Sequence, residues 1–295
     1  MVTPDLDAAY ASCEDAARAH YENFPVASVL LPSRMRHHIA AVYAFARAAD
    51  DFADEGERPD EERLHLLDGW HERLQRTITD LPQLPPGPRE PDNAPAIFKA
   101  LGHTIRHCDL PVELLTDLLS AFRQDVTVRR YQNWEALFDY ARRSANPVGR
   151  LVLRIAGYRS ESFDEWSDSI CTALQFTNFW QDVQVDFARG RVYLPQSELA
   201  RHGAAVTDLS TQAAPARRAL QQAVLRTRQL FDAGRPLCDA VSGRLRYELR
   251  ATWLGGSRIL DRLDEQLAIG VVLRPALQLR DTPWFAWRLI TWASR

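Results

Sequence analysis

The segment from Ile170 to Phe187 constrains this chain more than any other. Ile170, Cys171, Ala173, Leu174, Phe176, Phe179, Trp180, Val183, Val185 and Phe187 cover nearly every face of a helix, and a helix that is apolar all round belongs in a core. Yet Gln175, Asn178, Asp182 and Asp186 follow one another at steps of three, four and four residues, which stacks them along one edge over about three turns. Burying two carboxylates without partners costs about several kcal/mol each. The stripe is therefore expected to line a cavity that holds cations.

A second acidic helix is expected from Ile39 to Asp54, an Ala-rich stretch whose polar groups gather at its C-terminal end. Arg47, Asp50 and Asp54 stand at i, i+3 and i+7, and carboxylates at a helix C-terminus oppose both each other and the macrodipole. Taken alone, this end suits a solvated helix terminus with Arg47 as partner as well as it suits a site. Asp and Asn without Cys or His point to a hard ion such as Mg²⁺, which takes one or two protein carboxylates and completes its shell with water and phosphate. Two sets of aspartates thus suggest a diphosphate clamp. A di-iron carboxylate site would need Glu-x-x-His on each of two helices, and only Glu62 and His65 show that spacing.

The rest of the chain reads at helical period, as in Leu114, Leu118, Ala121 and Phe122, and strand-like alternation is nearly absent. Breaks are expected at the Pro-rich run 81–95, at Asp109-Leu110-Pro111 and across 189–215. None has the composition of an interdomain linker, so one all-α domain over residues 1–295 is expected. A net charge of −3 gives no footprint for nucleic acid, although Lys99 is the only lysine among 36 basic residues, and guanidinium suits phosphate. Cys13, Cys108, Cys171 and Cys238 are too scattered for a zinc site or a disulfide framework. With no leader pattern and no apolar run of membrane-spanning length, a cytoplasmic location is expected.

Together, Asp50-Asp51-Phe-Ala-Asp54, the string from Gln175 to Asp186, and Gly190-Arg191-Val-Tyr193-Leu-Pro195 resemble the squalene/phytoene synthase family. The likeness extends to His20 through Phe24, to Tyr140 with the turn from Ser144 to Gly149, and to the C-terminal helical region. It implies the isoprenoid-synthase helical bundle with a central active-site cavity, Mg²⁺ as cofactor and a prenyl diphosphate as substrate. Carried over by position, Asp50, Asp54, Asn178, Asp182 and Asp186 become metal or diphosphate-bridging residues, and Arg47 and Arg191 reach phosphate oxygens. Gln175, Tyr140, Tyr193, His20 and Phe24 line the substrate cavity. Core aromatics would serve equally for Tyr140 and Phe24, and an exposed helix-end histidine for His20.

Asn146-Pro147, Phe179-Trp180, Gln181 and Val185 depart from the commoner members and are similar to the bacterial branch that acts on presqualene diphosphate and lets water capture the cation, yielding hydroxysqualene. The siblings that condense two farnesyl or geranylgeranyl diphosphates are the alternative, and a catalytically silent prenyl-lipid-binding subunit is a third reading. The intact aspartates count against that last one. No GxGxxG follows a strand, so a reductive second step has no support in the sequence. The resemblance also implies coupling to other enzymes of the squalene pathway. Three tryptophans, Trp284, Trp287 and Trp292, suit either a lipid interface at the inner membrane face or packing on the protein's own core; the second is favoured.

Overall fold

Prolines and capping residues set where the helices begin. The computed structural model describes residues 4–19, 31–270 and 273–292. Among them the chain is all-α, with one isolated bridge between Arg130 and Val192 as its only β-type pairing. It divides into two compact units, Met1–Thr127 with Arg150–Arg159, and Val128–Gly149 with Ser160–Arg295.

The first unit holds α1 (Pro4–Ala19), α2 (Ser33–Asp54), α3 (Asp60–Ile78), α4 (Ala94–Cys108) and α5 (Val112–Thr127). Pro32 and Pro59 stand just before α2 and α3, and Asp60, Glu61 and Glu62 complement the positive end of α3. The apolar face of α2, including Met35, Ile39, Val42, Phe45 and Phe52, packs against its four neighbours with Trp70 and Phe98. The Pro-rich connection is held by the buried Arg73, which donates to the carbonyls of Leu84 and Pro85 at 2.8 Å and pairs with Glu90 at 2.6 Å.

A polar knot joins α1, α2 and α4. The Tyr10 hydroxyl lies 3.1 Å from His38 Nδ1, 2.8 Å from His103 Nδ1 and 2.9 Å from Thr104 Oγ1. His107 stacks on both His38 and His103, and His37 lies against His38. Burial, and then the neighbouring His37, His107 and His103, push the His38 imidazole down to about 3. An unfolded His titrates near 6.5, so this group favours the fold fully above that pH and progressively less as pH falls toward 3. Calorimetry is expected to show the melting temperature dropping between pH 7 and 5, with a shallower fall in His38→Gln.

The second unit holds α6 (Trp134–Ser144), α8 (Glu161–Gln181), α9 (Val183–Ala188), α10 (Gln196–Arg201), α11 (Asp208–Thr211), α12 (Ala214–Gly234), α13 (Leu237–Ala240), α14 (Gly243–Ile269) and α15 (Thr282–Ile290). Between them in sequence, α7 (Asn146–Ile155) is shared by the two units. The region 189–215, expected only as a connection, carries α10 and α11.

The helix α8 lies at the heart of this unit, packed by α6, α12 and α14. Three glycines let neighbours approach it. A Cβ built on Gly234 would stand 2.6 Å from the Trp166 carbonyl oxygen and 2.9 Å from the Ile170 nitrogen; one on Gly256 would stand 2.8 Å from Leu174, and one on Gly149 would collide with Ser167 and Cys171. Trp180 then locks the helix by donating its Nε1–H to Thr227 Oγ1 at 2.8 Å.

Candidate active site

The acidic string is not one uninterrupted helix. Helix α8 ends at Gln181, and Asp182, at φ −100° and ψ 10°, is both its C-cap and the N-cap of α9. The ladder continues across the break: Asp182 N–H donates to Asn178 O at 2.9 Å, and Asp186 N–H donates to Asp182 O at 2.8 Å. The stripe therefore keeps its register. Along it Asn178 is exposed, and Gln175, Asp182 and Asp186 are partly so. Val185, expected inside, is 41% exposed, because α9 has only one buried residue, Val183.

After α9 the chain doubles back. Arg191 N–H donates to Asp186 O at 2.8 Å, a turn made possible by Gly190 at φ +79°. The following loop is laced to 129–132 through Val192 N–H to Arg129 O at 2.8 Å and Gln196 N–H to Tyr131 O at 3.0 Å. Tyr193 is thereby laid flat on Phe179, with centroids 3.7 Å apart and planes within 4°. Tyr131 and Tyr140 complete a four-ring cluster, at 5.5 Å from each other and 5.8 and 6.4 Å from Tyr193. The second unit thus gathers Tyr140, Tyr193, Arg191 and the polar stripe around α8 and α9, and Tyr140 is buried behind the wall it helps to build.

Asp182 has a partner the sequence did not announce. Arg274 grips it twice, Nε to Oδ1 at 2.5 Å and Nη2 to Oδ2 at 3.2 Å, while the Gln181 amide donates to the Pro275 carbonyl at 2.5 Å. The segment 273–278 is strapped onto the end of α8 by these two residues.

In the first unit, Asp50 and Asp54 close α2 as expected. Arg47 is committed to its own helix's acids, at 2.7 Å from Asp51, 2.5 Å from Glu55 and 3.6 Å from Asp50. The Asp50 carboxyl is pushed up to about 6, mainly by desolvation, with Arg47 opposing and Asp54, Asp51 and Glu55 adding to the rise. Its native form holds a proton between pH 4 and 6 that the unfolded chain has lost, so ionising it weakens the fold as pH rises through that window. Asp50→Asn is expected to melt above the unmodified protein at pH 7.5 without metal, the gap closing toward pH 4. With 47% of the side chain exposed, solvent screening keeps that gap modest.

These carboxylates fit a hard divalent ion: they are oxygen donors, and Asp50 is desolvated with Asp54, Asp51 and Glu55 beside it. Among the described residues no three acidic, His or Cys side chains converge into a cage. His20 and Phe24 lie outside the described residues.

The squalene/phytoene synthase family model matches residues 17–288, a span that takes in both acidic helices and the Tyr193 loop. The chain belongs to the squalene/phytoene synthase family. It is 41% identical over 220 residues to the hydroxysqualene synthase of Zymomonas mobilis, covering 71% of this chain and 67% of that protein. With the hydroxysqualene synthase of Rhodopseudomonas palustris it shares 37% identity over 262 residues, 86% of this chain and 84% of that one. The crystal structure of squalene synthase HpnC from Alicyclobacillus acidocaldarius superposes with a TM-score of 0.81 at 38% identity, covering 90% of this chain and 97% of that one. The helical fold is that of these synthases.

Tyr131 and Arg274 were missed by sequence reasoning. Tyr131, two residues before the Asn133 that caps α6, could have been flagged as an aromatic beside a cap. Arg274, one arginine among many and lying in a connection between helices, carried no signal.

Proposed function

We propose that this protein is a magnesium-dependent hydroxysqualene synthase that converts presqualene diphosphate and water to hydroxysqualene and diphosphate. The observation that carries the reading is one helix, α8 with its continuation α9, bearing an oxygen-donor stripe beside a flat aromatic wall, in a chain 37–41% identical to hydroxysqualene synthases. Asp50 and Asp54 on α2, with Asn178, Asp182 and Asp186, are the residues that would hold Mg²⁺, which when bound neutralises charge on the departing diphosphate. Arg191, on the loop pinned beneath Asp186, binds phosphate oxygens, and Arg47 holds the acids of α2 in place for the same end.

Heterolysis leaves a cyclopropylcarbinyl cation, and aromatic faces such as Phe179 and Tyr193 stabilise it while excluding bulk water. Gln175, on the same edge and partly exposed, orients the one water admitted, and Tyr140 backs the wall. No described helix is long and apolar enough to cross a membrane; a cytoplasmic enzyme with peripheral contact to the inner membrane face, coupled to other enzymes of the squalene pathway, fits this reading.

Supplied with presqualene diphosphate and Mg²⁺, the protein is expected to release hydroxysqualene, unchanged by NADPH, and ¹⁸O-water must label the alcohol. A second reading, condensation of two farnesyl diphosphates, draws on the relative described as a squalene synthase. Consumption of farnesyl diphosphate with none of presqualene diphosphate would decide for it.

A further inference from the structure

Helix α15 is an anomaly of the second unit: none of its nine residues is buried. A helix this short is not stable alone in water, and its attachment lies chiefly at its ends. Before it, Asp281 accepts two bonds from Arg262 at 2.7 and 2.8 Å. After it, Trp292 donates to Asp239 at 2.8 Å and lies under the guanidinium groups of Arg235 and Arg250. Between those anchors the helix roofs a cavity of about 210 Å³ lined by Phe231, Trp253, Leu260 and Trp284 rather than closing on it. The tryptophans therefore divide their roles. Trp292 packs inward as expected, Trp284 is half-buried, and Trp287 is 66% exposed.

The outer face is an apolar stripe. Pro283, Trp287 and Ile290 stand at i, i+4 and i+7, with Ala286 beside them, and Ile290 is 82% exposed. The chain leading into it adds Ile269, Leu273 and Leu277, so five of the eleven large apolar side chains exposed among the described residues fall between 269 and 290. The same stretch is basic. Arg274, Arg280 and Arg288 stand against a single acid in this stretch, Asp281, whose carboxylate is buried and paired with Arg262, and of the three arginines Arg274 is taken up by Asp182. This contrasts with a chain whose net charge is −3.

We propose that α15 and the segment before it dock on an anionic lipid surface, with Trp287 and Ile290 inserted at the headgroup boundary and Arg280 and Arg288 against the phosphates. An exposed Trp flanked by arginines on a short amphipathic helix matches an interface one side of which is apolar and the other charged, and the one acid between residues 269 and 290, Asp281, is buried against Arg262. The inference deepens the proposed function, since a triterpene alcohol belongs in a bilayer, but its test does not require turnover.

Full-length protein without substrate is sedimented with vesicles of phosphatidylcholine alone or with about a third phosphatidylglycerol. Binding to the anionic vesicles is expected, at least tenfold weaker for Trp287→Ser/Ile290→Ser, and salt-sensitive and reduced for Arg280→Gln/Arg288→Gln. Both variants should keep the melting curve and the activity on detergent-dispersed substrate. No sedimentation of the unmodified protein, or unchanged binding of the Trp287→Ser/Ile290→Ser variant, overturns the proposal. So does a dimer in light scattering that this variant dissolves, which would assign the face to a second copy. Vesicle binding by a protein inactive on presqualene diphosphate would overturn the proposed function and leave the docking surface standing.

Discussion

Asp182→Asn is expected to lower turnover about 100- to 1,000-fold, the range seen when a charge-stabilising group is removed from an active site, while the protein stays folded. Asp182 is the pivot of the stripe, at the junction of α8 and α9, and its carboxylate is already held by Arg274 at 2.5 and 3.2 Å. A divalent ion arriving there must compete with a guanidinium, so neutralising the acid removes a proposed metal ligand and releases Arg274 together. Arg274→Gln is the informative control. It should tighten binding of Mn²⁺ in the absence of substrate, read from the free-ion signal in electron paramagnetic resonance, whereas Asp182→Asn should weaken it. Turnover within tenfold of the unmodified protein, or Mn²⁺ binding insensitive to both changes, would remove Asp182 from the metal-binding set.

The second large effect concerns stability. Gly234→Ala is expected to destabilise the protein by about 1–3 kcal/mol, the usual cost of forcing atoms into a packed core, measured as a lower denaturant midpoint with the slope unchanged. The added methyl would meet the carbonyl of Trp166 at 2.6 Å and the nitrogen of Ile170 at 2.9 Å. Both are backbone atoms of α8, which no rotamer change can move aside. A variant as stable as the parent would mean that α8 shifts to make room.

The sequence made the acidic helices and the all-α class legible because both rest on periodicity, which is local. Asp50 and Asp54 fall at the end of α2 as the polarity pattern required. The break at Asp182 was not legible: the steps of three and four persist through it, and only the backbone angles and the exposure of Val185 show that α9 is a separate, shallow helix. Arg47 was legible as a candidate but not its allegiance, since Asp50, Asp51 and Glu55 all lie within reach of one long side chain. The Arg274–Asp182 pair spans 92 residues and depends on where a connection between helices lies in space, which no periodicity encodes. Gln181, singled out as a departure from the commoner synthases, acquires a structural meaning only through its bond to the Pro275 carbonyl.

The glycine contacts around α8 bear on how this sequence can change over time. An enlargement at Gly234 meets the backbone of α8 at Trp166 and Ile170, whereas one at Gly149 meets the side chains of Ser167 and Cys171 and one at Gly256 those of Phe231 and Leu174. Such positions drift as linked sets rather than singly. The walls formed by Phe179, Tyr193 and Tyr131 carry no comparable restriction from those contacts. Selection for a different hydrocarbon would therefore find its accessible steps among the rings, with the back of α8 inherited as a fixed frame of reference from one product specificity to the next.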